Sequence, residues 1–301
     1  EFRRVLFRSR TTPAEPGGTS HQSVQERTRT MPISNIVRSA VAGMLSHKLN
    51  LDTIANNLAN VNTTGFKAGR VHFQDVLYEN YTYATNAEEV RVGAGVRPSA
   101  ISPTYTQGAL EQTDIPTDVA IYGDGFFQVR QNDGTFAYTR NGNFRLDIVD
   151  GQRVLVNTDG LPVMGPNGGP VVIGPEASAQ SLTISSTGEV LSSRFDELVG
   201  HDVINPVGQL ALAKFVNPEG LEQIGQTLVR ESATSGAVEL GTPGATAGFG
   251  QLVGGALEGS NVNTADEMTN MVTAQRAYSL SVQALRTLDE MIGLANNIRS
   301  R

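Results

Sequence analysis

Residues 55–67 read ANNLANVNTTGFK, and residues 260–268, near the other end of the chain, read SNVNTADEM. An apolar-periodic segment ends at the first Asn-Val-Asn, and another begins just after the second. Two terminal helices around a β-rich middle predict a subunit that docks through its ends. This arrangement is typical of a structural polymer rather than an enzyme.

The first helix is predicted over residues 36–59, because its apolar residues recur at intervals of three and four. Ser34 precedes this segment and is a candidate N-cap. Gly65 is the predicted stop, since glycine adopts the left-handed conformation without a Cβ penalty. The apolar positions are Val37, Val41, Met44, Leu51, Ile54, Ala55 and Leu58.

The second helix is predicted from Thr264 to Arg301, with Thr264 and Glu267 forming a capping box. It carries two apolar stripes, so we expect burial on two sides, one on the first helix and one on a neighbouring subunit. The first stripe is Met271, Gln275, Tyr278, Val282, Leu285 and Ile292. The second is Ala277, Leu280, Ala284, Leu288, Met291, Ala295 and Ile298.

The middle of the chain, residues 108–231, has the pattern of a sandwich or barrel-like sheet of short antiparallel strands. Short apolar runs alternate with turn signals such as Asn132-Asp133-Gly134 and Asp159-Gly160. Asn141-Gly142 is predicted to be a hairpin turn, because a type I′ turn requires positive φ at both central residues. The fold class is therefore predicted as α+β, with paired, coiled-coil-like terminal helices and a central all-β domain.

The chain divides into six predicted segments. Residues 1–30 carry six Arg and three Glu, a net of +3 in a chain of −7, which leaves −10 for the rest. We expect this basic stretch to be a disordered or non-native leader, with a natural start at Met31. The other segments are a rod-like helix (31–66), an extended connector (67–107), the β domain (108–231), a return loop (232–258) and a second rod-like helix (259–301).

Nothing in the sequence predicts catalysis, a cofactor or a metal site. Cysteine is absent, so no disulfide or thiolate site is possible. The four histidines lie apart, without the spacing of a zinc pair. No apolar run is long enough to cross a membrane and no cleavable secretion signal is evident, so we expect no membrane insertion. The basic residues 1–30 are interpreted as a leader and not as a nucleic-acid anchor, so we expect no nucleic-acid partner. The histidines are His21, His47, His72 and His201.

The asparagines of the two similar stretches are predicted to form a hydrogen-bonding seam between subunits. Amides both donate and accept, so like surfaces can join without charge repulsion. The alternative is a fraying helix end, where asparagine is common. The predicted assembly interface comprises Asn57, Leu58, Asn60, Asn62, Gly65, Phe66, Asn261, Asn263, Met271, Gln275, Tyr278, Val282 and Leu285.

Residues 55–67 and 259–278 resemble the N- and C-terminal signatures of the flagellar rod and hook family. In the middle, VAIYGDGFFQV at 119–129 and AYTR at 137–140 are similar to the β domain that this family shares. FQDVLY at 73–78 and VGAGV at 92–96 are most similar to its distal rod members. The resemblance extends over residues 31–292.

The resemblance implies a structural subunit of the distal rod, which self-assembles helically around an export channel and transmits torque across the periplasm. The implied partners are copies of itself, other rod proteins, the hook protein, the ring (bushing) proteins and the flagellar type III export apparatus. A proximal rod protein is the alternative within the family. A β-domain hydrolase or carbohydrate-binding module is the alternative from a different class. Because a lone subunit leaves one helical stripe uncovered, we expect its terminal helices to be mobile in dilute monomer and to order on assembly.

Overall fold

The structure is a computed structural model that describes residues 33–82, 89–149, 151–174, 179–196, 201–246 and 248–299. The predicted leader, residues 1–30, lies outside this set. The elements in chain order are α1 (Ile33–Ala59), β1 (Gly69–Asp75), β2 (Glu79–Thr82), β3 (Glu89–Val92), β4 (Val96–Pro103), β5 (Leu110–Gln112), β6 (Val119–Tyr122), β7 (Phe126–Arg130), β8 (Phe136–Thr139), β9 (Arg145–Val149), β10 (Gln152–Val156), β11 (Val172–Ile173), β12 (Leu182–Ile184), β13 (Glu189–Asp196), β14 (His201–Gln209), β15 (Leu212–Lys214), β16 (Glu222–Gly225), β17 (Leu228–Arg230), β18 (Glu239–Gly241), β19 (Gln251–Gly254), β20 (Ala256–Glu258) and α2 (Thr264–Arg299).

The two helices pack against each other in antiparallel directions, with the end of α1 beside the start of α2. This pairing and the many short antiparallel strands between the helices confirm the predicted fold class. Ser34 was predicted to cap α1 from the position before the helix. This prediction is wrong, because α1 begins at Ile33 and Ser34 lies inside it. Within the described residues, neither helix combines the length and the apolar character needed to cross a membrane.

The β domain is organised around a six-stranded antiparallel sheet with the order β16-β17-β8-β7-β15-β18. Alternate side chains of β7 point to opposite faces of this sheet, as strand geometry requires. Phe127 and Val129 belong to the main hydrophobic core, whereas Phe126 belongs to a second cluster with Tyr138 and Phe215. Three-stranded sheets of β9–β11 and β12–β14 and the strand pairs β6–β19 and β5–β20 complete the domain.

Turn chemistry was informative at one predicted hairpin and misleading at another. The turn at residues 132–134 joins β7 to β8 as predicted, and Gly134 has a φ of +85°. The predicted hairpin at Asn141-Gly142 is wrong, because β8 pairs with β7 and β17 while β9 pairs with β10. A close backbone contact, rather than a turn, explains why position 142 requires glycine. Its carbonyl accepts a hydrogen bond from Val119 N at 3.0 Å, and a Cβ at position 142 would overlap the Val119 carbonyl.

The connector leaves α1 and returns to the β domain as a two-stranded antiparallel ribbon. In the part of the ribbon next to α1, β1 pairs with β4 and both strands contact the helix. In the part farther from α1 along the chain, β2 pairs with β3. The connector is therefore extended in shape, but its strands fold back on each other. The ribbon places residues 104–108 beside residues 65–69, where the functional site lies.

The segment predicted as a return loop contains three strands. β18 adds an edge strand to the six-stranded sheet, β19 pairs with β6, and β20 pairs with β5. Its composition of Gly, Ala, Ser and Thr favoured a loop, but pairing with strands distant in sequence outweighed that local preference. The chain consequently reaches α2 from a strand that is anchored in the β domain.

Candidate functional site

Four segments of the chain converge just beyond the end of α1, where the helix pair joins the β domain. They are residues 65–67 after α1, residues 106–108 after β4, Arg140 after β8, and Glu258 at the end of β20. We refer to this region as the junction. Its centre is a cluster of charged side chains that the solvent scarcely reaches.

Glu258 is the centre of the junction and is fully buried. Its Oε1 accepts hydrogen bonds from Lys67 Nζ at 2.6 Å and from Gly108 N at 3.0 Å. Its Oε2 accepts a hydrogen bond from Arg140 Nη1 at 3.2 Å. Gly65 N also donates to the Glu258 backbone carbonyl at 2.8 Å. One carboxylate therefore joins the chain after α1, the β domain and the segment that leads into α2.

The two cations of the junction have further contacts of their own. Lys67 Nζ donates to the Thr106 carbonyl at 2.8 Å. The pKa of Lys67 is lowered, because the effect of burial is larger than the opposing effect of the Glu258 charge. The Arg140 guanidinium lies 5.3 Å from the centre of the Phe126 ring, at cation–π distance. Burial raises the pKa of Tyr105 strongly, and its ring packs edge-on against Phe126.

Asn57 is buried, and its amide is engaged within the chain. Its Oδ1 accepts a hydrogen bond from Gly69 N at 2.9 Å, and its Nδ2 donates to the Gly69 carbonyl at 3.0 Å. The same Nδ2 lies 3.2 Å from Glu267 Oε1. Asn57 thus ties the last turn of α1 to the connector and to the first turn of α2.

Asn261 has the corresponding position at the start of the C-terminal segment. Its Oδ1 accepts a hydrogen bond from Ala68 N at 2.8 Å, and its Nδ2 donates to the Thr104 carbonyl at 2.7 Å. It also contacts the carbonyl and the hydroxyl of Thr106. In the single chain, one asparagine of each similar stretch, Asn57 and Asn261, therefore binds the connector.

The N-cap of α2 is Asn263, one residue before the predicted cap. Asn263 Oδ1 accepts a hydrogen bond from Ala265 N at 3.1 Å, and its Nδ2 contacts Asp266 Oδ2 at 2.8 Å. The predicted capping box of Thr264 and Glu267 is therefore wrong, because the same polar pattern is shifted by one position. Glu267 is consequently free to contact Asn57.

The other predicted interface residues near α1 lie around the junction with different exposures. Leu58, Asn60 and Phe66 are half-buried, and Asn62 is exposed. Gly65 does not stop α1, which ends at Ala59. Instead, Gly65 has a φ of +69° and approaches the β domain so closely that a Cβ would lie 2.6 Å from Asn141 N.

The predicted interface residues on α2 divide between two surfaces. The half-buried ones recur at helical spacing and face α1: Met271, Tyr278, Val282 and Leu285. Gln275 is exposed. None of these placements tests a contact between subunits, so the interface assignment remains a prediction.

Sequence reasoning missed the buried ion cluster. Lys67 and Arg140 each end a motif that the sequence analysis singled out, but Glu258 received no attention. A signal was present, since Glu258 is an isolated charge next to apolar residues and directly before the Gly-Ser-Asn-Val-Asn stretch. An isolated acid in such a position needs a partner when it is buried.

Comparison with known families agrees with this geometry. A family model described as flagella basal body rod protein matches residues 38–67, which contain most of α1 and the first side of the junction. The flagellar hook protein FlgE/F/G D1 domain matches residues 120–192, and the flagellar basal body rod FlgEFG protein C-terminal model matches residues 253–298. The three matches define the class as a flagellar rod and hook protein.

Relatives that match almost end to end identify the family within this class. The flagellar basal-body rod protein FlgG of Borreliella burgdorferi is 42% identical over 270 residues, which cover 87% of this chain and 97% of that protein. FlgG of Bacillus subtilis is 36% identical over 268 residues, with the same coverage of each chain. The flagellar hook protein FlgE of Treponema pallidum is 43% identical, but only over 33% of its length. The chain belongs to the FlgG family of flagellar basal-body rod proteins.

Proposed function

We propose that the chain is a structural subunit of the distal rod, which assembles helically into a torque-transmitting shaft around an export channel. The observation that carries this proposal is an apolar face of α2 that has no partner among the described residues. α1 covers only the opposite side of α2. A second copy of the chain would supply the missing cover.

The uncovered face is a stripe of exposed apolar residues along one side of α2. Leu280, Met291, Leu294 and Ile298 have exposed fractions of 65%, 57%, 63% and 78%. Their spacings of 11, 3 and 4 keep them on one side of a helix with 3.6 residues per turn. Contiguous exposed apolar surface of this kind marks an interaction site. Most of this face coincides with the second apolar stripe predicted from the sequence.

The lengths of the helices support a partner that comes from another subunit. α2 has 36 residues and a length of about 54 Å, whereas α1 has 27 residues and a length of about 40 Å. Because the helices are antiparallel, the last turns of α2 extend past the start of the described part of α1. A heterologous contact along these turns can propagate without closing into a ring.

Membership of this family supports a proposal for the wider assembly. We propose that the paired helices form the inner layer around the channel and that the β domain lies outside it. The neighbours would be other rod proteins, the hook protein and the ring proteins of the bushing. Export would use the flagellar type III apparatus without a cleaved signal, into a rod that crosses the periplasm. The proposed role is mechanical, without catalysis or a cofactor.

Among the predicted interface residues, the exposed ones are the stronger candidates for contacts between copies. Asn62 and Gln275 present their amides to solvent. Asn57 and Asn261 instead use their amides within the chain. We therefore propose that Asn57 and Asn261 position the helices. Asn62 and Gln275 are proposed to take part in the seam between copies.

Leu280→Asp tests this function. A carboxylate in an apolar seam costs several kcal/mol, roughly, so we expect loss of swimming and no rods in electron micrographs of basal bodies. Ser279→Asp is the matched control, since Ser279 is exposed and lies about 100° around the helix. Circular dichroism and urea unfolding should show that both variants retain the folded β domain. Normal swimming of the Leu280→Asp strain would contradict the proposed seam.

A further inference from the structure

A crevice of about 430 Å³ opens beside the junction, between the end of α1 and the hairpin of β16 and β17. Asn60 and Thr63 line it on the α1 side, and Gln226 lines it on the hairpin side. Lys67 and Arg140 also line it. Among the described residues that form its wall there is no carboxylate, so the charged groups of the wall are both cations.

The charges of the junction are unbalanced in the single chain. Lys67 and Arg140 share the carboxylate of Glu258, which is fully buried. Two cations beside one anion leave a net positive charge in a region of low solvent access. A buried charge without compensation is unfavourable, so this arrangement favours the entry of a second anion.

Hydrogen-bonding capacity at the same wall is also unfilled. Arg140 is 6% exposed, and within the described part of the chain its Nη1 is bonded whereas its Nε has no partner. The hydroxyl of Tyr105 is likewise buried and without a partner there. Lys67 Nζ has three N–H groups and two acceptors, Glu258 and the Thr106 carbonyl. Lys67 therefore keeps one N–H for an acceptor that the single chain does not supply, while Arg140 Nε and the Tyr105 hydroxyl are unpaired groups closed to solvent within the same wall.

The hairpin on the other side of the crevice is strained. Gln226 and Thr227 have φ values of +54° and +59°, a conformation that is rare for residues other than glycine and a genuine outlier for β-branched threonine. The turn itself accounts for these values, since Gly225 pairs with Leu228 and a two-residue type I′ turn requires positive φ at both central residues. The hairpin thus places Gln226 and Thr227 at the mouth of the crevice.

We propose that the crevice binds a carboxylate side chain of a second copy of this chain, which completes a network of two cations and two anions with Lys67 and Arg140. Charge complementarity selects the occupant, because the chain after the basic leader carries a net charge of −10 in every copy. A carboxylate also matches the forked donors of a guanidinium. The inference rests on the proposed function, since helical assembly brings the same surface of a neighbour to every crevice.

Photocrosslinking in assembled rods tests the occupant. Benzoylphenylalanine is introduced at Gln226, in the wall of the crevice, and separately at Leu294, on the uncovered face of α2. We expect both positions to crosslink to a second copy, and the Gln226 adduct to map to a peptide that contains Asp or Glu. Crosslinks to a second copy from Leu294 but not from Gln226 would overturn the crevice assignment and leave the polymer intact. Crosslinks to a second copy from neither position would overturn the proposed function as well.

A charge placed in the crevice provides a second test. Gln226→Glu supplies a carboxylate within the same chain, so it should compete with the neighbour and lower incorporation into rods about tenfold. Gln226→Asn, which keeps the amide, is the control and should incorporate normally. Urea unfolding of both variants checks that the hairpin is intact. Equal incorporation of the two variants would contradict the proposal.

Discussion

Lys67 and Glu258 are 191 positions apart in the chain, yet Lys67 Nζ lies 2.6 Å from Glu258 Oε1, and both side chains are almost entirely buried. Lys67 follows α1, and Glu258 lies shortly before α2. The pair therefore closes the chain at the point where the helix pair meets the β domain. The mechanical role proposed above requires a connection between the helices and the β domain, and the contacts of the junction lie at that point.

The first prediction concerns the charge of Glu258. Glu258→Gln should lower the free energy of unfolding by about 3–5 kcal/mol, because it leaves two buried cations without an anion. Urea unfolding of the purified chain measures this. Glu222→Gln is the control, since the Glu222–Arg230 pair is 48–56% exposed and should contribute less than about 1 kcal/mol. Similar losses in the two variants would show that burial of the cluster has no special effect.

The second prediction concerns pH. Burial lowers the pKa of Lys67 from 10.5, so the folded chain loses this proton at a lower pH than the unfolded chain. The free energy of unfolding contributed by Lys67 should therefore rise with pH between the lowered value and 10.5. Urea unfolding at successive pH values, compared with Lys67→Met, isolates the effect because the variant lacks this group. The prediction fails if parent and variant have the same pH dependence.

The third prediction separates two asparagines of the same stretch. Asn57→Ala should cost about 1–3 kcal/mol of unfolding free energy, because it leaves the half-buried N–H and carbonyl of Gly69 without the partners described above. Asn62→Ala should change it by less than about 0.5 kcal/mol, since Asn62 is exposed. Thermal and urea unfolding of both variants measure the difference. A larger loss at Asn62 would contradict the assigned bonds.

The fourth prediction concerns the close approach of Gly142 to Val119. Gly142→Ala should destabilise the β domain by roughly 1–3 kcal/mol, because the new Cβ would overlap the Val119 carbonyl. Gly169→Ala is the control, since a Cβ there meets nothing within 4 Å and the φ of Gly169 is not positive. It should be neutral or slightly stabilising. Differential scanning calorimetry of the two variants measures the effects, and equal melting temperatures would count against the close contact.

Much of the fold could be predicted because its determinants are local. The helical period identified α1 and both stripes of α2, and the turn at residues 132–134 identified the β7–β8 hairpin. Asn141-Gly142 carried the same local signal and led to a wrong prediction. The requirement there was for space beside Val119, which no local pattern expresses.

The sequence by itself determined the class of fold, the two terminal helices and the resemblance to a family, since periodicity and motifs are properties of contiguous residues. Only the tertiary structure decided which polar residues hold the molecule together. Glu258 meets cations 191 and 118 positions away, and Asn57 is buried whereas Asn62, five positions later, is exposed. Burial and hydrogen-bond partners depend on which distant segments fold back together, and residue type alone does not specify that.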